Sequence, residues 1–375
     1  MQLRRRQRVV TVGGAIVAMA LSLAACSSSS SSSAPSSTGS SGSGSSAPSS
    51  GSSSSAASAS GTINAAGSTF QLNFQQAAIA AFKQSNPNIT VNYDGVGSGT
   101  GRADFYKSSV LFAGSDSPIP SKEASEVPAG KTVLYFPVQI GPIAIAYNLS
   151  GVKGLKLDAP TLAKIFQGQI KTWDDPAIKA LNPGLSLPST AITLAVRSDS
   201  SGTTANFSQY LVDAAGSGWK LGTSSTITWP STAHAGDGGS GLAQIVKNTA
   251  GAIGYVDFST ATASGLSAAS IKNSAGDYVA PSTAGASAAA THVTPKSDLT
   301  FLTVDEPGAT SYPITYQSWD LVYATQPNAN DAALLKAYLG YLLGPGQQLL
   351  STLNLSPLPS SIDSAAVAQL SQITS

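Results

Sequence analysis

The chain has 375 residues with two histidines and a single cysteine, Cys26, so no intramolecular disulfide is available and stability must come from core packing. Its formal net charge is +1, but four of the 20 basic residues lie in the first 26 positions; beyond them 16 basic residues face 19 acidic ones, a net of about −3. That balance argues against nucleic acid or another polyanion as partner.

In chain order, the first element is an export signal over 1–25. Arg4, Arg5, Arg6 and Arg8 precede an uncharged apolar run that ends in "LAAC" at Leu23 to Cys26. A small-residue cleavage site followed by cysteine resembles the bacterial lipoprotein box, which makes Cys26 the expected lipid attachment point; a plain secretory signal or signal anchor is the alternative. Residues 27–60 hold 22 serines among 34 positions and lack core residues. A coil of that kind reaches roughly 30 Å, so it reads as a spacer between anchor and body. Beyond the signal no apolar run approaches the ~18 residues that would span a bilayer.

From Gly61 on, about 315 residues remain, more than one core usually serves, and two lobes are expected. Short β-branched or aromatic runs at 89–96, 132–149, 191–198 and 251–258 read as strands. Between them, 70–84 places Phe70, Phe74, Ala77, Ala78, Ala81 and Phe82 on one helical face, and 331–343 does the same with Leu334, Leu335, Tyr338 and Leu342. Strands alternating with helices predict an α/β fold.

Three stretches put glycine and hydroxyl residues just before a helix: "AAGSTFQLNF" (65–74), "GVGSGTGRADF" (95–105) and "RSDSSGTTANFSQYL" (197–211). The first amides of a helix are unpaired and carry partial positive charge, so each mouth is half of an anion site. Any one of them alone is better explained by an ordinary N-cap without a ligand. The third also carries Arg197, whose planar fork meets a tetrahedral oxyanion with paired bonds, and Asp199, placed to hold that fork.

Catalysis has less support. A serine hydrolase built on Ser201 or Ser98 with His234 would lack a Gly-x-Ser-x-Gly elbow, and the "TAHAGDGG" stretch around His234 reads as a surface connection. "GSGTGR" (97–102) lacks the lysine of a nucleotide loop. Two isolated histidines and no clustered acids offer no metal-ligand spacing, and no cofactor is expected.

These motifs, with "FAGSDSPI" (112–119), "GPIAIAYNL" (141–149), "TWDDPAIKALNPG" (172–184) and "GAIGYVDF" (251–258), follow one another as in the phosphate-binding (PstS) component of ABC-type phosphate importers, and the chain resembles that family over essentially all of 61–375. The resemblance implies a two-lobed type II periplasmic binding protein with two interlobe crossovers. Lobe one is then expected at 61–143 plus 312–375, and lobe two at 144–311. It implies phosphate ligands at Thr69, at Phe70 through its backbone amide, and at Ser98 and Asp116 on one lobe, with Arg197, Ser201, Gly202 and Thr203 on the other. It implies partners as well: inorganic phosphate, the permease and ATPase subunits of an importer, and a membrane reached only through the lipid at Cys26, on the outer face of the cytoplasmic membrane. The chain departs from the family pattern at Gln71, where proline is usual, and at Leu111–Phe112, where an acid is frequent.

Within that resemblance Asp116 is the informative residue, because an acceptor aimed at the ligand is satisfied only by an oxyanion that keeps a proton. Phosphate does so near neutral pH; sulfate, a rival ligand together with molybdate, does not, and two facing acceptors are expected to cost on the order of 10³-fold in affinity.

Overall fold

The first half of the fold is built by strand–helix alternation: β1 (Gly61–Gly67), α1 (Leu72–Ser85), β2 (Ile89–Gly95), α2 (Ser98–Tyr106) and β3 (Phe112–Ser115). The computed structural model describes residues 59–375. The expected signal over 1–25, the lipid site at Cys26 and all but the last two residues of the serine-rich spacer lie outside the described residues. β1 pairs in parallel with β2 on one side and β3 on the other, as strands joined by crossover helices do.

The long strand β4 (Val133–Tyr147) follows, buried along almost its whole length. Its apolar run "VLYFPVQIGPIAIAY" lacks the alternation of a half-exposed strand because both of its faces are covered. The second half then carries β5 (Lys156–Leu157), α3 (Ala159–Phe166), α4 (Pro176–Leu181), β6 (Thr193–Arg197), α5 (Gly202–Ala215), β7 (His234–Gly236), α6 (Gly238–Asn248), β8 (Ala252–Asp257), α7 (Phe258–Ala263), β9 (Ser267–Ala268), β10 (Ser270–Lys272), β11 (Tyr278–Val279) and α8 (Thr283–Ala290). The chain returns through β12 (Thr315–Tyr323) and ends in α9 (Ala329–Leu343), α10 (Gln347–Leu350) and α11 (Ser360–Gln369).

One strand joins the halves. In the nine-stranded sheet, ordered β2-β1-β3-β12-β4-β8-β6-β7 with β9 also on β4, residues Val133–Pro142 of β4 pair with β12 and Ile143–Tyr147 pair with β8. Two prolines sit inside β4 where a ladder amide is dispensable. Pro137 lies at a bulge opposite Ser318/Trp319, and Pro142 lies where the strand changes partner. β5, β10 and β11 form a separate small sheet.

The four predicted strands appear as β2, β4, β6 and β8, and the two predicted helices as α1 and α9. The "TAHAGDGG" stretch differs from its reading as a connection: His234–Gly236 is an edge strand paired with β6, and Gly238 opens α6. Its signal is weak because the strand is short and two of its three residues are exposed. On α1 the predicted face is also not purely apolar. Gln75 is buried beside Phe74, Ala78 and Phe82, and the preceding Gln71 is buried too.

Those glutamines serve a buried polar relay. The Tyr338 hydroxyl donates to Gln75 Oε1 (2.6 Å), Gln75 Nε2 donates to Gln71 Oε1 (2.9 Å) and to both oxygens of Asp320 (3.3 and 3.4 Å), and Gln71 Nε2 donates to Ser318 Oγ (2.8 Å). Burial pushes the fully enclosed Asp320 carboxyl up to about 7, against the lowering effect of Gln75 and Gln71. Because its folded-state pKa lies above the unfolded value, Asp320 adds stability that is complete below pH ~4 and lost as pH rises through about 7. Asp320→Asn should therefore flatten the fall in unfolding free energy between pH 4 and pH 8 by roughly 4 kcal/mol, read from urea titrations at the two pH values.

Candidate oxyanion-binding site

The strands of both halves end at one place. α1 follows β1, α2 follows β2, Asp116 follows β3, α5 follows β6 and α6 follows β7, so helix N-termini gather beyond the carboxyl ends of the sheet, where open α/β sheets bind ligands. Among the predicted residues, Ser98 is the first residue of α2, Ser201 caps α5, and Gly202 and Thr203 are its first two residues. The amides at such positions have no intrahelical acceptor. Gly97, at the mouth of α2, holds φ +86°, a left-handed conformation that glycine adopts without strain.

The structure brings the predicted residues of the two halves together. A Cβ placed on Gly202 would lie 2.5 Å from Ser98 Oγ and 2.6 Å from both Cβ and Oδ2 of Asp116. Gly99 donates its amide to the Ser200 carbonyl (2.9 Å) and has the Ser200 side chain packed against its Cα face. The Thr69 methyl lies 3.4 Å from where a Gly238 Cβ would stand. Glycines at the α2 and α5 mouths therefore permit the halves to meet.

Arg197, at the end of β6, is buried, and its Nε donates to Asp199 Oδ1 (2.7 Å) while Nη2 donates to Asp199 Oδ2. Burial opposes its charge, yet the bonds and charge of Asp199 outweigh that and raise its pKa. Asp199 is itself held by the Gly238 amide at the start of α6 (3.1 Å). With Nε and one Nη2 hydrogen committed to Asp199, the remaining guanidinium N–H groups have donor capacity to spare. Arg102, in the second glycine-rich mouth, serves a different end: it is fully buried and paired with Glu123 (2.8 and 3.0 Å) and Ser115 Oγ (3.0 Å), tying α2 to β3.

Asp116 is 1% exposed. Burial pushes its carboxyl up to about 6, opposed by hydrogen bonds from Ser318, Ser68 and Ser98 and by the charge of Arg197. Ser318 Oγ donates to Oδ1 (2.6 Å) and Ser98 Oγ to Oδ2 (3.3 Å), while its carbonyl accepts from Asn206 Nδ2 (2.7 Å) and Gln317 Nε2 (3.2 Å). A carboxylate has about four lone-pair sites, so acceptor capacity remains. Ser201 Oγ accepts from the Thr204 amide (3.1 Å). The Phe70 amide donates to Ser68 Oγ (3.0 Å), so that donor would have to exchange the serine for a ligand oxygen.

Ser318, Gln317, Asn206 and Gly238 were not foreseen from the sequence. The first two come from β12, some 200 positions from Asp116, and read as ordinary buried strand residues. Asn206 sits one turn beyond Gly202 on α5, to whose carbonyl it also donates (2.9 Å), a spacing that could have flagged it. A separate groove of about 420 Å³, lined by Pro118, Gln209, Phe301 and Leu302 among others, includes none of the predicted ligands.

Comparison with known proteins matches residues 52–345 to the PBP superfamily domain. The phosphate-binding protein PstS 3 of Mycobacterium leprae is 38% identical over 318 residues, covering 81% of this chain and 84% of its own. This chain belongs to the PstS family. The phosphate-binding protein PstS 2 of Mycobacterium tuberculosis is 36% identical over 327 residues, 83% of this chain and 87% of its own. Among solved structures, a phosphate-binding protein from Stenotrophomonas maltophilia superposes with a TM-score of 0.67 at 21% identity, covering 82% of this chain and 93% of that one, and so shares the two-lobed fold.

The tight approach at Gly202 leaves no room for a side chain there. In Gly202→Ala the methyl meets Asp116 and Ser98 across the contact between the halves, an overpacking of about 1–3 kcal/mol. The unfolding free energy of the variant should fall by about that amount, read from urea titrations.

Proposed function

We propose that this protein is the extracytoplasmic substrate-binding component of an ABC importer and captures inorganic phosphate between its two lobes. The observation that carries the reading is an acceptor among donors: Asp116 is buried against Gly202, Ser98 and the Arg197 side of the cleft, where a donor-only site would hold sulfate equally well. The names of its curated relatives, phosphate-binding proteins, support it.

In this reading Thr69, the Phe70 amide, Ser98, Arg197, Ser201, Gly202 and Thr203 donate to phosphate oxygens and Asp116 accepts the phosphate proton. Lobe one comprises 61–143 and 312–375 and lobe two 144–311, a division supported by the change of partner within β4 at Pro142/Ile143. Closure over phosphate is then the state read by the permease and ATPase subunits. Cys26 carries the lipid that holds the protein at the outer face of the cytoplasmic membrane. Among the described residues no helix is long and apolar enough to cross a membrane.

The protein acts by binding and not by catalysis. The hydrolase alternative finds little support, since Ser201 Oγ is turned onto its own helix and His234 is exposed on β7. Other oxyanions such as sulfate or molybdate are disfavoured by Asp116.

Calorimetric titration of ligand-stripped protein near pH 7.5 should give a phosphate affinity at least about 10³-fold above that for sulfate. Asp116→Asn should shrink the ratio by an order of magnitude or more. For the wild type, sulfate affinity should rise as pH falls through about 6, because a protonated Asp116 offers the hydrogen that sulfate lacks. Absence of phosphate heat in the wild type would overturn the reading.

A further inference from the structure

Tyr316 belongs to the same face of β12 as Ser318, the residue that holds the Asp116 carboxylate, because strand positions two apart point the same way. Its ring is fully buried and stacks on Phe70 with centroids 4.0 Å apart and planes 24° apart. Phenylalanine would fill that stack equally well. The hydroxyl, however, has no hydrogen-bond partner among the described residues, and a buried polar group left unpaired is costly.

The groups around the hydroxyl belong to the site. It lies within electrostatic reach of Asp257, Asp116 and Arg197, and the Thr203 hydroxyl is close without meeting hydrogen-bond geometry. The carboxylates nearby already have donors. Asp116 accepts from Ser318 and Ser98, and Asp257 Oδ1 accepts from Ser259 Oγ (2.6 Å) and the Thr260 amide (2.8 Å). Burial, with the Asp257 and Asp116 charges, raises the phenol pKa well above its ordinary value, so the group is a neutral O–H donor throughout the accessible pH range.

We propose that the Tyr316 hydroxyl donates directly to an oxygen of the bound oxyanion, a ligand contributed by β12 in addition to those at the helix mouths. The inference rests on the phosphate reading of the cleft. It gives the first half a side-chain donor from the returning strand, so that phosphate would touch both chain segments of that half.

Tyr316→Phe keeps the stack on Phe70 and removes only the hydroxyl. Calorimetry should show phosphate binding about tenfold weaker than wild type, and sulfate weakened by a similar factor because a donor does not read the ligand's proton. The unfolding midpoint of the ligand-free variant should equal or exceed that of wild type, since an unpaired group is lost. Phosphate affinity within twofold of wild type would overturn the proposal. So would a lower ligand-free midpoint or a failure to fold, which would mean that the hydroxyl bonds within the protein. If wild type itself gives no phosphate heat, the phosphate reading fails and this proposal with it; if wild type binds and Tyr316→Phe matches it, only the proposal fails.

Discussion

A carboxylate buried where two halves of a protein meet is the constraint on which the rest of this structure depends. Charged Asp116 in a dry setting costs several kcal/mol unless its oxygens are hydrogen-bonded. The fold meets that demand with Ser98 from the mouth of α2 and Ser318 from β12, while Asn206 and Gln317 hold the residue in place through its backbone carbonyl. Behind Ser318, the relay of Gln71, Gln75 and Tyr338 fixes the hydroxyl that faces Asp116. Gln71, at the position where the resemblance led proline to be expected, is therefore part of the support of the site, and proline has no donor to supply there.

The remaining electrostatics are local. Arg197 is neutralised by Asp199, and Asp116 adds a further negative charge, so no surplus of formal positive charge draws an anion in. Attraction comes from the unpaired amides and dipoles of helix N-termini, whose effect fades within a turn but is strong when water is excluded. On the proposed reading, this is how a body with a net charge of about −3 beyond its first 26 residues holds an oxyanion. It also explains the glycines at the mouths of α2 and α5, since short-range dipoles act only if the backbones approach closely.

Continuity of β4 through both halves makes that approach reproducible. A single strand that pairs with β12 along one stretch and with β8 along the next holds both halves in one sheet, with the change of partner at Pro142/Ile143. The adjoining return of the chain is tied to the same point, with the Ile143 amide donating to the Ile314 carbonyl (2.7 Å) and the Tyr312 hydroxyl to the Ile143 carbonyl (2.8 Å).

What was readable in the amino-acid order was what depends on near neighbours. Runs of β-branched residues marked β2, β4, β6 and β8, apolar spacing marked α1 and α9, and glycine with hydroxyl residues marked the helix mouths, because turn chemistry and periodicity are properties of a few consecutive residues. Arg197 with Asp199 was legible for the same reason, two positions apart on one strand end. Ser318, Gln317 and Tyr316 were not, since nothing in "TYQSWDLVY" distinguishes a residue that lies against a buried carboxylate from one that faces an apolar core. Only the tertiary structure decided that β12 runs between β3 and β4, and so brought hydroxyls from the end of the chain against a carboxylate some 200 residues earlier. Pairing over such a separation is set by burial of the whole sheet, a sum over many residues that no short stretch of sequence carries.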